Sequence, residues 1–160
     1  MSPIELIALS GISGSGKTTW ANAWAAEDPQ NRVRVNQDDI RTQLFTTPDY
    51  SKEQEKLVRK HLRELILSSL KEGKSVVSDN TNLGAGKLQH LHDIARHLGV
   101  GFRVHRLHAT VEEATININQ RVQEGGLGVS LGIIKSQHKA FLKSIEAEFQ
   151  SCGSKTFLLD

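Results

Sequence analysis

One cysteine among 160 residues, Cys152, leaves no partner for an internal disulfide. That usage fits a reducing cytosol, and no activating group stands beside Cys152, so it reads as a tail residue rather than a nucleophile. Long apolar runs are missing. None approaches the ~20 residues of a membrane span, and the first residues lack the basic and apolar regions of a secretory signal. A cytoplasmic location without membrane attachment is the expectation. Aromatic residues make up only 5% of the chain, which confines base stacking to a few positions. Charge is nearly balanced, with 20 Lys and Arg against 18 Asp and Glu and a net charge of +2. Any nucleic-acid partner must therefore be held by a local patch. Internal repeats, low-complexity tracts and Pro/Gly linkers are also missing, so residues 1–160 suit one domain with one core.

What is present begins with Gly11-Ile12-Ser13-Gly14-Ser15-Gly16-Lys17-Thr18, a G-x-x-x-x-G-K-[ST] loop. Its glycines let the backbone turn N–H groups inward and approach an anion closely. The helix that follows aims its positive end at the same point. Lys17 is placed to reach the terminal phosphates of a nucleotide, and the Thr18 hydroxyl to hold Mg²⁺. Gly11, Ser13, Gly14, Ser15, Gly16, Lys17, Thr18 and Thr19 form the expected nucleotide-binding set. Ile4 to Leu9 reads as a buried strand and Lys17 to about Ala26 as a helix, the strand–loop–helix context this motif requires.

Beyond the loop, Arg32 to Asn36 alternates and reads as a second strand, followed by a short helix to about Leu44. Ser51 to Gln54 is a capping box that opens a long helix ending at Gly73, with Val58, Leu62 and Leu65 as its core stripe. Ser75 to Asp79 is a third strand, Ala85 to Leu98 a helix, and Val100 to Leu107 a fourth strand. Thr110 to Glu113 is a second capping box, whose helix Gly125, Gly126 and Gly128 interrupt. Ser130 caps a last helix carrying Ile134, Phe141, Ile145 and Phe149, and Thr156 to Leu159 suits a short fifth strand. Strands alternating with helices mean an α/β fold, a parallel sheet with helices on both faces. Ligands bind outside the carboxyl ends of such strands, where the loop, Asp38 and Asp79 all fall. The tips carrying the loop and Asp38 are expected to be neighbours.

The D-x-x-G and N-K-x-D elements of a GTPase are absent, which leaves a small phosphotransferase. Four blocks resemble the kinase domain of bacteriophage-type polynucleotide 5′-hydroxyl kinases. They are the loop with its following Thr19-Trp20-Ala21, the segment Asn36-Gln37-Asp38-Asp39-Ile40-Arg41 with its D-D-x-R pattern, and Val76 to Leu83 with Asp79-Asn80-Thr81-Asn82. The fourth is a helix ending at Arg121, a glycine-rich turn, and the restart Val129 to Ile134. The resemblance spans nearly the whole chain. It implies a three-layer P-loop kinase sandwich of four to five parallel strands with a helical lid at about 115–132. It also implies ATP as phosphate donor, Mg²⁺, and the 5′-hydroxyl end of DNA or RNA as acceptor, in host cytoplasm if the chain is phage-encoded.

The same resemblance implies roles for single residues. Asp38 is the general base for the attacking hydroxyl, or a cap of the helix that follows it, or both. Arg41 forks onto the phosphate 3′ of the acceptor nucleotide, or is a surface arginine paired with Asp38. Asp79 borders the metal's water shell, orients Arg41, or caps a strand end. Thr81 and Asn82 bond the acceptor phosphate or shape a turn. Arg121 is the lid arginine that offsets charge on the migrating phosphoryl group, the glycines after it giving the lid freedom, or an exposed helical arginine. Asn117 stands where the family often has a second lid arginine. No phosphatase or ligase segment is apparent, so a repair role is expected to need separate partners.

Lys52, Lys56, Arg59 and Arg63 recur at helical spacing and, with Arg32 and Arg34, form a candidate track for a nucleic-acid backbone. Phe45 and Tyr50 are the candidate stacking residues. The seven histidines show no zinc-ligand pattern. The rival acceptors are a hydroxymethyl-pyrimidine base within phage DNA and a small sugar or nucleoside. A nucleotide-gated binding module without transfer chemistry is the rival from another class.

Overall fold

The computed structural model describes residues 3–152. The strand expected over 156–159 and the Phe149 side chain lie outside the described residues. The elements run β1 (Glu5–Ser10), α1 (Lys17–Ala26), β2 (Arg32–Val35), α2 (Gln37–Leu44), α3 (Lys52–Lys71), β3 (Ser75–Ser78), α4 (Ala85–Leu98), β4 (Gly101–Arg106), α5 (Val111–Gln123) and α6 (Leu131–Cys152). Each strand pairs in parallel with its neighbours, and the sheet order is β2-β3-β1-β4. This is a P-loop kinase fold of four parallel strands among the described residues. The β1 and β2 tips are therefore not adjacent, as the sequence suggested, because β3 lies between them. That places Asp79, at the end of β3, between the loop after β1 and Asp38 after β2.

β1 lies inside the sheet between β3 and β4 and is covered by helices on both faces, so both faces carry apolar side chains. Leu6 and Ala8 join Val76, Val35 and Val104 on one face, covered by Ile66 and Leu70 of α3 and by Leu88, Leu91 and Ile94 of α4. Ile7 and Leu9 join Val77 on the other, covered by Ala21 and Trp24 of α1. A third cluster joins Ile12 of the loop to Ala114 and Ile118 of α5 and to Ile134 and Phe141 of α6. The last two helices are thus seated on the loop itself.

Local signals act where they were expected, with two differences. Thr110 and Glu113 form both halves of a capping box. Ser51 caps α3 by accepting from the Gln54 N–H, but Gln54 Oε1 accepts from the Asp49 N–H rather than reaching back to Ser51. On α3, Val58, Ile66 and Leu70 are fully buried, while Leu62 and Leu65 pack half-buried at the edge. Among the described residues no helix is long and apolar enough to cross a membrane.

Candidate active site

The loop between β1 and α1 owes its shape to two left-handed glycines, Gly14 at φ 81° and Gly16 at φ 96°. Gly11 has ordinary φ but needs its missing side chain, since a Cβ there would stand 2.9 Å from the Leu107 carbonyl oxygen. The Lys17 ammonium folds onto the loop, donating to the Gly11 and Ile12 carbonyls at 3.0 and 2.7 Å. Burial pulls its pKa down to about 8; Asp79 opposes that shift and Arg121 adds to it.

Thr18 Oγ1 donates to Asp79 Oδ2 at 2.9 Å. The same oxygen accepts from Arg34 Nε at 2.7 Å, and Asp79 is 1% exposed. Asp79 therefore stands beside the Thr18 hydroxyl and does not orient Arg41. A hydroxyl and a carboxylate side by side are the hard oxygen donors that Mg²⁺ takes, with phosphates and water completing its shell. Among the described residues, no group of three or more His, Cys, Asp or Glu side chains could hold a metal on its own.

Asp38 lies in the first turn of α2, but Asn36 is the cap, its side chain accepting from the Asp39 N–H. The Asp38 carboxylate is left to point outward, 59% exposed, and receives Arg41 Nη1. Arg41 is buried rather than superficial, at 6% exposure. Its Nε and Nη2 donate to Glu55 Oε1 and Oε2 at 2.7 and 2.9 Å, and its guanidinium lies 4.7 Å from the Tyr50 ring centre. The fork expected to meet an acceptor phosphate is occupied here by Glu55. The Glu55 carboxyl is in turn held below the usual carboxylate range, chiefly by the hydrogen bond from Arg41.

A cavity of about 760 Å³ collects these groups. Ser13, Gly14, Gly16, Lys17, Thr18 and Thr19 line its loop side. Asp38, Asp79, Thr81 and Tyr50 line its far side, and Arg121 with Asn117 closes it from α5. Gly11, Ser15, Arg41 and Asn82 are not part of the lining. Asn82, expected either to contact an acceptor phosphate or to shape a turn, fits the second role by its placement. It is buried, adopts φ 43°, and donates to the Leu9 and Ser78 carbonyls, so its amide ties β1 to β3. Phe45 is also absent from the lining, leaving Tyr50 as the aromatic side chain at the rim.

Arg121 Nε donates to the Leu127 carbonyl at 2.8 Å, across the glycine turn. Two of those glycines are needed for the shape of the turn. Gly125 ends α5 at φ 90°, and a Cβ on Gly126 would strike Arg121 Cγ at 2.5 Å. Two contacts between the loop and the late helices had no local sequence signal. Gln137 Oε1 of α6 accepts from the Ser13 N–H at 2.8 Å, and Asn117 Nδ2 of α5 donates to the Gly14 carbonyl at 2.8 Å. Asn117, standing in for an arginine, thus grips the loop.

The family model described as "AAA domain", AAA_33, matches residues 6–147. The chain belongs to that family. A protein of Autographa californica nuclear polyhedrosis virus, described as a bifunctional polynucleotide kinase/RNA ligase, is 28% identical over 158 residues, covering 91% of this chain and 22% of that one. A chain in a structure of the Pnkp1/Rnl/Hen1 RNA repair complex superposes with a TM-score of 0.81 at 24% identity, covering 92% of this chain and 47% of that one. A second Pnkp1/Rnl/Hen1 structure gives a TM-score of 0.63 at 28% identity, over 71% of this chain and 38% of that one. The chain spans about a fifth of the viral relative and less than half of the repair-complex chains.

Proposed function

We propose that the chain is the kinase domain of a polynucleotide 5′-hydroxyl kinase that moves the γ-phosphate of ATP to the 5′-hydroxyl of DNA or RNA. The observation that carries this reading is the single cavity shared by the phosphate loop and the outward-facing Asp38 carboxylate. The descriptions of the viral relative and the repair-complex structures support it.

The chemistry follows from the positions. The loop N–H groups and Lys17 receive the donor phosphates. Thr18 and Asp79 would hold Mg²⁺, which when bound supplies neutralising charge to those phosphates. Asp38 accepts the proton of the acceptor hydroxyl as its oxygen attacks the γ-phosphorus, and the bond to the β–γ bridging oxygen breaks to release ADP. Arg41 acts through Asp38, pairing with that carboxylate and orienting it. Arg121 approaches from the lid side and offsets charge on the transferring group.

The grip of Glu55 on Arg41 favours a second reading, in which the acceptor carries no phosphate: a hydroxymethyl-pyrimidine base in DNA, or a small sugar or nucleoside. An acceptor screen with γ-labelled ATP separates the two. Label is expected on 5′-hydroxyl oligonucleotides and not on 5′-phosphorylated ones. Transfer to a neutral metabolite or modified base, with none to strand ends, overturns the polynucleotide reading.

A further inference from the structure

Outside the catalytic cavity, α3 carries a row of exposed cations. Lys52, Lys56, Arg59 and Arg63 recur at i, i+4, i+7 and i+11, which puts them in one stripe. All four are exposed, and none forms an ion pair among the described residues. Glu53 and Glu64 follow Lys52 and Arg63 by one residue and so sit about 100° round the helix. Glu55, at the head of the stripe, is committed to Arg41, although its charge is also felt by Arg59. Arg32 and Arg34, once candidates for the same track, are committed elsewhere, Arg32 to Glu27 and Arg34 to Asp79 and Asp39.

Both ends of the stripe lead somewhere. At its head, Tyr50 precedes Lys52 by two residues, is 60% exposed, and lines the catalytic cavity. At its foot, Arg63 and Leu67 form one wall of a groove of about 520 Å³ between α3 and α4. The α4 wall carries His90, Ile94, Arg96 and His97, together with Asp93, which approaches Arg96 at 3.7 Å. From Lys52 to Arg63 the helix rises roughly 16 Å. The cations thus run from the acceptor side of the cavity to a groove lined by Leu67 and Ile94 together with Arg63, Arg96 and Asp93.

We propose that this stripe and the α3–α4 groove carry the sugar–phosphate backbone of the acceptor strand, 3′ of its reacting end. The assignment rests on the polynucleotide reading and names where that polymer lies. A backbone track of point charges with few aromatic side chains binds by counterion release, so it has steep salt dependence and little base preference.

The test compares a dinucleotide acceptor with a strand of about 20 nucleotides, longer than a single-fold footprint, for the wild-type chain and the variant K56A/R59A/R63A. The KM of the long strand is expected to rise about tenfold in the variant, and the slope of log(1/KM) against log salt to weaken by about 2. The dinucleotide KM and both kcat values stay unchanged, which also reports that the variant is folded. Equal handling of the two lengths by the wild-type chain, or equal losses for both in the variant, overturns the track while leaving the kinase reading intact. Failure of the wild-type chain to phosphorylate any strand overturns the kinase reading and the track with it.

Discussion

Arg41 grips Glu55 through two parallel hydrogen bonds, Nε to Oε1 and Nη2 to Oε2. The fork that could take an acceptor phosphate is closed by a carboxylate of the chain itself. Glu55→Gln keeps the shape and removes the charge, so the KM of a phosphate-bearing acceptor should fall about threefold. Arg41 is mostly buried and Glu55 partly exposed, so the stability loss in urea should be modest, about 1 kcal/mol. The depressed Glu55 pKa contributes stability above its ordinary value of 4.5, lost as pH falls towards the folded value. Acid titration of the wild-type chain against the variant reads that window.

Asp38 is outward-facing and does not cap its helix, so its removal should cost chemistry rather than fold. Asp38→Asn should lower single-turnover transfer by about 10²–10⁴-fold. ATP affinity by calorimetry should stay within about twofold. Parallel loss of both would remove Asp38 from the role of base.

Lys17 links the site to pH. Its folded pKa of about 8 lies below the ordinary 10.5. Between these values the unfolded chain binds more protons, so stability rises with pH there; below about 8 the cost of the buried charge is fully present. Relative to Lys17→Met, the wild-type chain should gain on the order of 3 kcal/mol from pH 8 to 10.5. Nucleotide binding runs the other way. Phosphates favour the ammonium form, so ATP affinity should fall as pH passes 8.

Gly14 and Gly16 share a left-handed backbone but not their surroundings. A Cβ on Gly14 would stand 2.6 Å from the Ala114 carbonyl oxygen, whereas one on Gly16 meets nothing closer than Leu107 at 3.9 Å. Gly14→Ala should cost about 2–4 kcal/mol, and Gly16→Ala about 1 kcal/mol. Thermal melts of the two variants check the contrast.

Gln137 holds the Ser13 N–H, and Asn117 holds the Gly14 carbonyl. Each is worth about 1 kcal/mol as a net hydrogen bond. Gln137→Ala should therefore raise the KM for ATP about fivefold, with little change in the KM of the acceptor. An equal rise in both would assign Gln137 to the frame rather than to the donor site.

Much of this architecture was legible because its signals are local. The loop glycines, the Thr110–Glu113 box and the alternating strands each act within a few residues. Asp38, Thr18 and Asp79 converge because parallel strands end on one side, which alternation alone implies. What stayed hidden depends on distant pairing. Glu55 meets Arg41 across the α2–α3 connection, and Gln137 meets Ser13 over 124 positions. The insertion of β3 between β1 and β2 is likewise a tertiary choice, and of the roles expected for Asp79 it favours the place beside Thr18 over the orienting of Arg41. For Asn82 the sequence left a phosphate ligand and a turn residue level, and only the fold shows its amide satisfying buried carbonyls between two strands.

The seating of α5 and α6 on Ile12, Ser13 and Gly14 bears on the order of synthesis. A nascent chain that has emerged only through β4 already owns Lys17, Thr18, Asp38 and Asp79. It still lacks the helices that brace the phosphate cradle. A chain made only that far has those residues of the cavity but not the Asn117 and Gln137 hydrogen bonds that hold its loop.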